Sequence, residues 1–178
     1  MTPDKIYLVG FMGSGKTTTA RALSSRLGWP WEDVDDLIEK REQTTVAEIF
    51  ARQGEAYFRQ AERDILKLVQ PIRHLIVATG GGTFVDPDNR ASMNLDGVSV
   101  WIDVPLADLI PRIPQDGRRP LASDLAQLER LFHARLEAYR QAHIRIAAGY
   151  QSPIEIVDEI LDAIRQRPSL VDRPAPRP

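Results

Sequence analysis

Gly10-Phe11-Met12-Gly13-Ser14-Gly15-Lys16-Thr17 is the stretch on which the reading of this chain turns. It fits G-x4-G-K-[ST], the phosphate-binding P-loop. The apolar run Ile6-Tyr7-Leu8-Val9 before it reads as a buried strand. Ala20, Leu23 and Leu27 after it have helical spacing, and Gly28 stops that helix. The pattern arises by accident in roughly 1% of chains this long, and here it also stands between the strand and helix it needs. Each part has a task. The glycines let backbone N–H groups curl around phosphate oxygens. The helix start adds free N–H groups and the positive end of its dipole. Lys16 reaches the β- and γ-phosphates, and the Thr17 hydroxyl can ligate Mg²⁺. Nucleotide binding follows from this; the acceptor does not.

Outward from the loop, strands alternate with helices. Trp29-Pro30-Trp31 leads a short extended piece into Glu32-Asp33-Val34-Asp35, and a helix is expected over Asp36 to Arg41. Thr45 and Glu48 have capping-box spacing, with Gly54 expected to end that helix and Phe58, Ala61, Ile65 and Leu68 marking another. Leu75 to Ala78 and Val98 to Asp103 are strong strands, the first running into Thr79-Gly80-Gly81-Gly82. A helix from about Asp124 to Gln141, an edge strand over His143 to Ala147 and a capped helix from Ser152 complete the pattern. This is an α/β domain with a mostly parallel sheet of about five strands, and ligands should gather at the carboxyl ends of the strands. One domain is expected over 1–167, with a Pro/Gly-containing loop at about 112–124. The segment 168–178 holds four of the 13 prolines and is expected to be a disordered tail.

Composition removes several functions. The chain has 178 residues and 43% apolar residues, enough for one core without staples. There is no cysteine, so thiol nucleophiles, disulfides and thiolate metal sites are excluded. Charges nearly cancel, 23 basic against 25 acidic, which argues against a nucleic-acid partner. The longest apolar runs are four residues, far short of the about 20 a membrane span needs. The first ten residues lack a signal-peptide pattern, so a cytoplasmic location is expected. Nineteen of the 23 basic residues are arginine, the side chain suited to bidentate recognition of carboxylates and phosphates.

Asp33-Val34-Asp35, Gly54-Glu55 with Phe58-Arg59 and Glu62, Gly80-Gly81-Gly82, Arg118-Arg119-Pro120-Leu121 and Arg135 with Tyr139 follow the P-loop in order. Together these pieces resemble shikimate kinase, over about residues 5–165. The resemblance implies a three-layer P-loop kinase fold and Mg-ATP-dependent phosphorylation of the 3-hydroxyl of shikimate. It implies that Gly13, Ser14, Gly15, Lys16, Thr17 and Thr18 bind the nucleotide, that Thr17 and Asp33 organise Mg²⁺, and that Asp35 binds acceptor hydroxyls as the candidate base. It further implies that Arg59 and Arg135 hold the shikimate carboxylate, with Gly80, Gly81 and Gly82 against its hydroxyls. Arg112 is placed near adenine and Arg119 at the transferring phosphates, on a lid, with Lys16, Asp35 and Arg119 as the catalytic set. Arg118 remains an alternative for the phosphate contact.

Read without the resemblance, Asp33 and Asp35 are alternate residues of an acidic extended segment, sharing one face. Arg59 is a surface ion pair with Glu55 or Glu62. Arg135 is a solvated residue of a charged helix, and the glycines are a flexible loop. Trp29 and Trp31 are bulkier than the pattern predicts. A gluconate-type sugar-acid kinase and a non-catalytic nucleotide-binding module are the alternative functions. A monomer is the default expectation.

Overall fold

A computed structural model describes residues 4–113 and 124–167 of the chain. The strands are β1 (Lys5–Val9), β2 (Trp31–Asp33), β3 (Leu75–Ala78), β4 (Val98–Asp103) and β5 (Ile144–Ala147). The helices are α1 (Lys16–Leu27), α2 (Val34–Glu42), α3 (Val46–Val69), α4 (Pro87–Asp96), α5 (Leu106–Leu109), α6 (Leu125–Tyr139) and α7 (Pro153–Arg165). The sheet runs β2-β3-β1-β4-β5 with every pairing parallel. Central strands of such a sheet are covered on both faces, which is why β1, β3 and most of β4 are continuous apolar runs. β5 alternates buried and exposed residues, as an edge strand should.

Register positions the site. Leu8 and Asp33 both pair with Ala78, and Val9 pairs with Trp101. The segments leaving β1, β2 and β3 therefore emerge side by side at the carboxyl edge: the P-loop, the start of α2 and the glycine run. α7 closes one side with Ile156, Val157, Ile160, Leu161 and Ile164 buried on a single face. Full burial of such a side chain contributes about 2 kcal/mol. α7 packs on α1, so it braces the helix that follows the P-loop. At the opposite edge, the buried Lys5 ammonium donates to Val69 O (2.8 Å), Gln70 O (2.7 Å) and Asp96 Oδ2 (2.8 Å), tying the ends of α3 and α4 to β1.

Two expectations change. β2 ends at Asp33, and α2 begins at Val34, so Asp35 lies in the first turn of a helix and not on a strand. The Asp33 side chain caps that turn by accepting from Asp35 N at 3.0 Å; a carboxylate is a better helix cap than a strand residue. Gly54 does not end a helix but kinks one, with φ 80° and ψ 175° inside α3. The Thr45–Glu48 capping box starts α3 as its spacing predicts. Trp31 lies under the Arg21 guanidinium, 5.1 Å from its ring centroid, and Trp29 packs edge-on against His74. The two tryptophans thus cover the short edge strand β2. The 168–178 tail and residues 114–123 of the expected lid, Arg118 and Arg119 included, lie outside the described residues.

Candidate active site

The phosphate end is built almost wholly by its own backbone. Gly13 and Gly15 adopt φ 77° and 91°, left-handed values that cost little only for glycine. Gly15 is the N-cap of α1 and supplies no side-chain cap, so the first N–H groups of the helix face the loop. Lys16 Nζ donates to Phe11 O at 2.7 Å, folding the side chain back over the loop. The Ser14 hydroxyl is buried without a hydrogen-bond partner among the described residues. A buried orphan of this kind, inside a ring of N–H groups, suits a phosphate oxygen. Thr17 Oγ1 donates to Asp33 Oδ2 at 2.8 Å, bringing the hydroxyl at the start of α1 to the end of β2. Two hard oxygens at a phosphate site fit Mg²⁺, which binds through one or two carboxylates, phosphates and water. Thr18, the next residue of α1, is exposed. Arg112 lies on the other flank: its Nη2 donates to Gly149 O at 3.0 Å, and its Cβ is close to the position a Gly13 side chain would occupy.

The acceptor end is assembled across the glycine run. A Cβ on Gly80 would stand 2.7 Å from Asp35 Oδ1 and 3.0 Å from Glu62 Oε1. On Gly81 it would stand 3.0 Å from Arg135 Nη1 and 3.4 Å from Met12 N of the P-loop. On Gly82 it would strike the Arg59 guanidinium, 2.6 Å from Nη2. Three consecutive residues thus abut a carboxylate pair, one arginine and then the other. Any side chain here would displace a charged group, so the run is glycine because of close approach and not because of backbone conformation.

The two arginines differ. Arg59 Nη1 donates to Glu62 Oε2 at 2.7 Å, and its Nε and Nη2 donate to Glu55 Oε1 at 3.1 and 2.8 Å. The ion pair expected from sequence is present with both glutamates. Burial works against the Arg59 charge, but Glu62 and Glu55 outweigh it and hold the guanidinium above its ordinary pKa. Glu62 is fully buried and also accepts from Thr83 Oγ1. Arg135 is 6% exposed, not solvated, and its guanidinium lies 5.5 Å from the Phe11 ring centroid. Among the described residues no carboxylate pairs with it. An uncompensated buried cation is costly, and an anion placed beside it would offset that cost.

Sequence reasoning assigned no role to Phe11 or Thr83, and gave Glu62 and Tyr139 only as parts of a pattern. Tyr139 is buried, and its hydroxyl donates to Gly81 O at 2.5 Å. Burial pushes its pKa up to about 12, with the nearby Arg135 charge pulling the other way. The i, i+4 spacing of Arg135 and Tyr139 was the available signal for this pair.

A family model described as shikimate kinase matches residues 12–165. A shikimate kinase of Persephonella marina is 41% identical over 161 residues, covering 90% of this chain and 98% of the relative. The crystal structure of Aquifex aeolicus shikimate kinase superposes with a TM-score of 0.82 at 33% identity, covering 93% of this chain and 98% of that one. Acinetobacter baumannii shikimate kinase in complex with shikimate gives 0.89 at 33% identity, covering 93% and 95%. A Sinorhizobium meliloti gluconokinase gives 0.53 at 16% identity, a likeness of fold alone. With the P-loop, the paired arginines and the glycine run in one chain and matches of this extent, the protein belongs to the shikimate kinase family.

Proposed function

We propose that the protein transfers the γ-phosphoryl group of ATP to the 3-hydroxyl of shikimate, giving shikimate 3-phosphate and ADP. The observation that carries the acceptor assignment is the buried Arg135, without a carboxylate partner among the described residues, beside Arg59 on one glycine run. A planar guanidinium recognises a carboxylate in two parallel hydrogen bonds, and shikimate carries one carboxylate on a ring of hydroxyls. Arg59 is held in place by Glu55 and Glu62 before any ligand arrives. Arg135 would then make the new pairing, and the two together orient the ring.

Asp35 stands against Gly80, next to Glu62, on the same glycine run as the arginines. It would accept the hydroxyl proton as the oxygen attacks. The N–H groups of Gly13, Ser14 and Gly15, with the Ser14, Thr17 and Thr18 hydroxyls, would receive the phosphates. Lys16 would swing from Phe11 O onto the β- and γ-oxygens. Thr17 and Asp33 would hold Mg²⁺, which supplies charge neutralisation across the β- and γ-phosphates when bound. Arg112 would approach the base, and Arg119 of the lid would stabilise the transferring group. The transition state of phosphoryl transfer is loose, so alignment and charge carry the catalysis. All these groups come from one chain, in keeping with a monomer working in the ATP-containing cytoplasm. Among the described residues no helix is long and apolar enough to cross a membrane.

ADP release with Mg-ATP tests the reading, with shikimate, gluconate or no acceptor. Shikimate-dependent turnover far above both controls is expected. Turnover with gluconate would favour a sugar-acid kinase, and silence with every acceptor would favour a binding module.

A further inference from the structure

We infer that Tyr139 is a positioning residue for the acceptor, its hydroxyl holding the Gly81–Gly82 peptide in the orientation that receives substrate; the inference rests on the acceptor reading above. The glycine run has three carbonyls, and each has a donor. Thr83 N donates to Gly80 O at 3.2 Å and Val85 N to Gly82 O at 3.0 Å, both from within the turn. The Gly81 carbonyl receives the Tyr139 hydroxyl, from a helix 58 residues further along the chain. It is the one carbonyl of the three that the turn does not satisfy from its own backbone.

A trans peptide is planar, with its C=O and N–H pointing in opposite directions. Pinning the Gly81 oxygen toward Tyr139 therefore points the Gly82 N–H the other way. Among the described residues that N–H has no acceptor. Glycine on both sides of the peptide leaves it free to rotate unless something outside the turn holds it. Tyr139 is well suited to do so. It is 1% exposed, and its ring packs at 31° on Trp101 with centroids 5.9 Å apart. Arg135 lies one helical turn earlier, its Nη1 3.0 Å from the place of a Gly81 Cβ. The pinned peptide and the guanidinium thus meet at the same glycine. Tyr139 need not touch the substrate to act.

Tyr139→Phe removes the hydroxyl and keeps the ring. Loss of one buried hydrogen bond should raise the KM for shikimate about tenfold. The KM for ATP and kcat at saturating shikimate should stay within about twofold, because the hydroxyl removed bonds Gly81 and no P-loop atom. With Arg135→Lys added, the combined KM increase should fall below the product of the two single increases, since hydroxyl and guanidinium meet at the same Gly81. Trp101→Phe loosens the same ring without touching the hydroxyl, and should lower the melting temperature while leaving the shikimate KM in place. An unchanged shikimate KM in Tyr139→Phe overturns the inference. So does an equal rise in both KM values, or a rise in Trp101→Phe matching that of Tyr139→Phe, since either would mean ring packing alone. A wild-type protein without shikimate-dependent turnover would instead overturn the acceptor reading itself.

Discussion

The phosphate end and the acceptor end of this site meet between Met12 and Gly81, yet they are built in different ways. The P-loop is held by contacts among near neighbours. Ser14 N donates to Phe11 O, Thr19 N to Gly15 O, and Lys16 Nζ back to Phe11 O. Its glycines are needed for their left-handed backbone. The acceptor end draws Asp35 from α2, Arg59 and Glu62 from α3, the glycine run from the end of β3 and Arg135 from α6, and joins them by side chains. Its glycines are needed for space. Local sequence can specify a loop that binds the phosphates common to all nucleotides. Recognition of one acceptor needs charges at distances that only a folded sheet and helices can set.

Substitutions should separate the two ends. The largest effect is expected for Asp35→Asn. It should lower kcat by roughly 10²–10⁴, the usual worth of a positioned general base, while equilibrium dialysis finds ATP affinity within about twofold of wild type. Unaltered turnover in this variant would remove Asp35 from the chemistry. Gly82→Ala comes next, because its methyl group meets the Arg59 guanidinium. We expect the shikimate KM to rise at least about tenfold with ATP affinity unchanged, as for other displaced charged contacts.

Gly15→Ala is the converse experiment. A Cβ there has nothing within 4 Å, so only the φ of 91° opposes it. A left-handed alanine costs roughly 1–2 kcal/mol, which should weaken nucleotide binding by about tenfold and leave the acceptor KM alone. Equal effects of the two alanines on both ligands would erase the distinction drawn between the ends.

The smallest effect concerns the acceptor end through α3. Hydrogen bonds from the Thr44 side chain and the Thr45 backbone hold the Glu48 carboxyl at a pKa of about 2. A lowered folded-state value means the contribution to stability is present above the ordinary 4.5 and is lost as pH falls toward about 2. Urea midpoints between pH 5 and 2.5 should therefore fall less steeply in Glu48→Gln than in wild type. Parallel curves would show that this cap adds nothing to the acid limb.

The phosphate end was legible because its motif is contiguous and its flanking strand and helix have clear periodicity. The five-stranded parallel sheet was legible for the same reason: Ile6–Val9, Leu75–Ala78 and Val98–Asp103 are apolar runs that only a doubly covered sheet can use. Asp35 was misplaced onto a strand because two aspartates at i, i+2 fit an extended face as well as a cap and first turn. Gly54 looked like a stop because glycine both ends and kinks helices. The burial of Arg135 had no signature in a helix rich in charge, and the bond from Tyr139 to Gly81, 58 residues away, had none in the spacing of either.

By itself the sequence determined that this chain binds a nucleotide phosphate on a parallel α/β sheet, because those properties depend on neighbours a few residues apart. It also carried the ordered pieces that mark its family. Only the tertiary structure decided which arginine would be paired and which left for an anion, and why three glycines stand in a row. Pairing and close approach are distances between residues tens of positions apart, and strand register and helix packing set those distances.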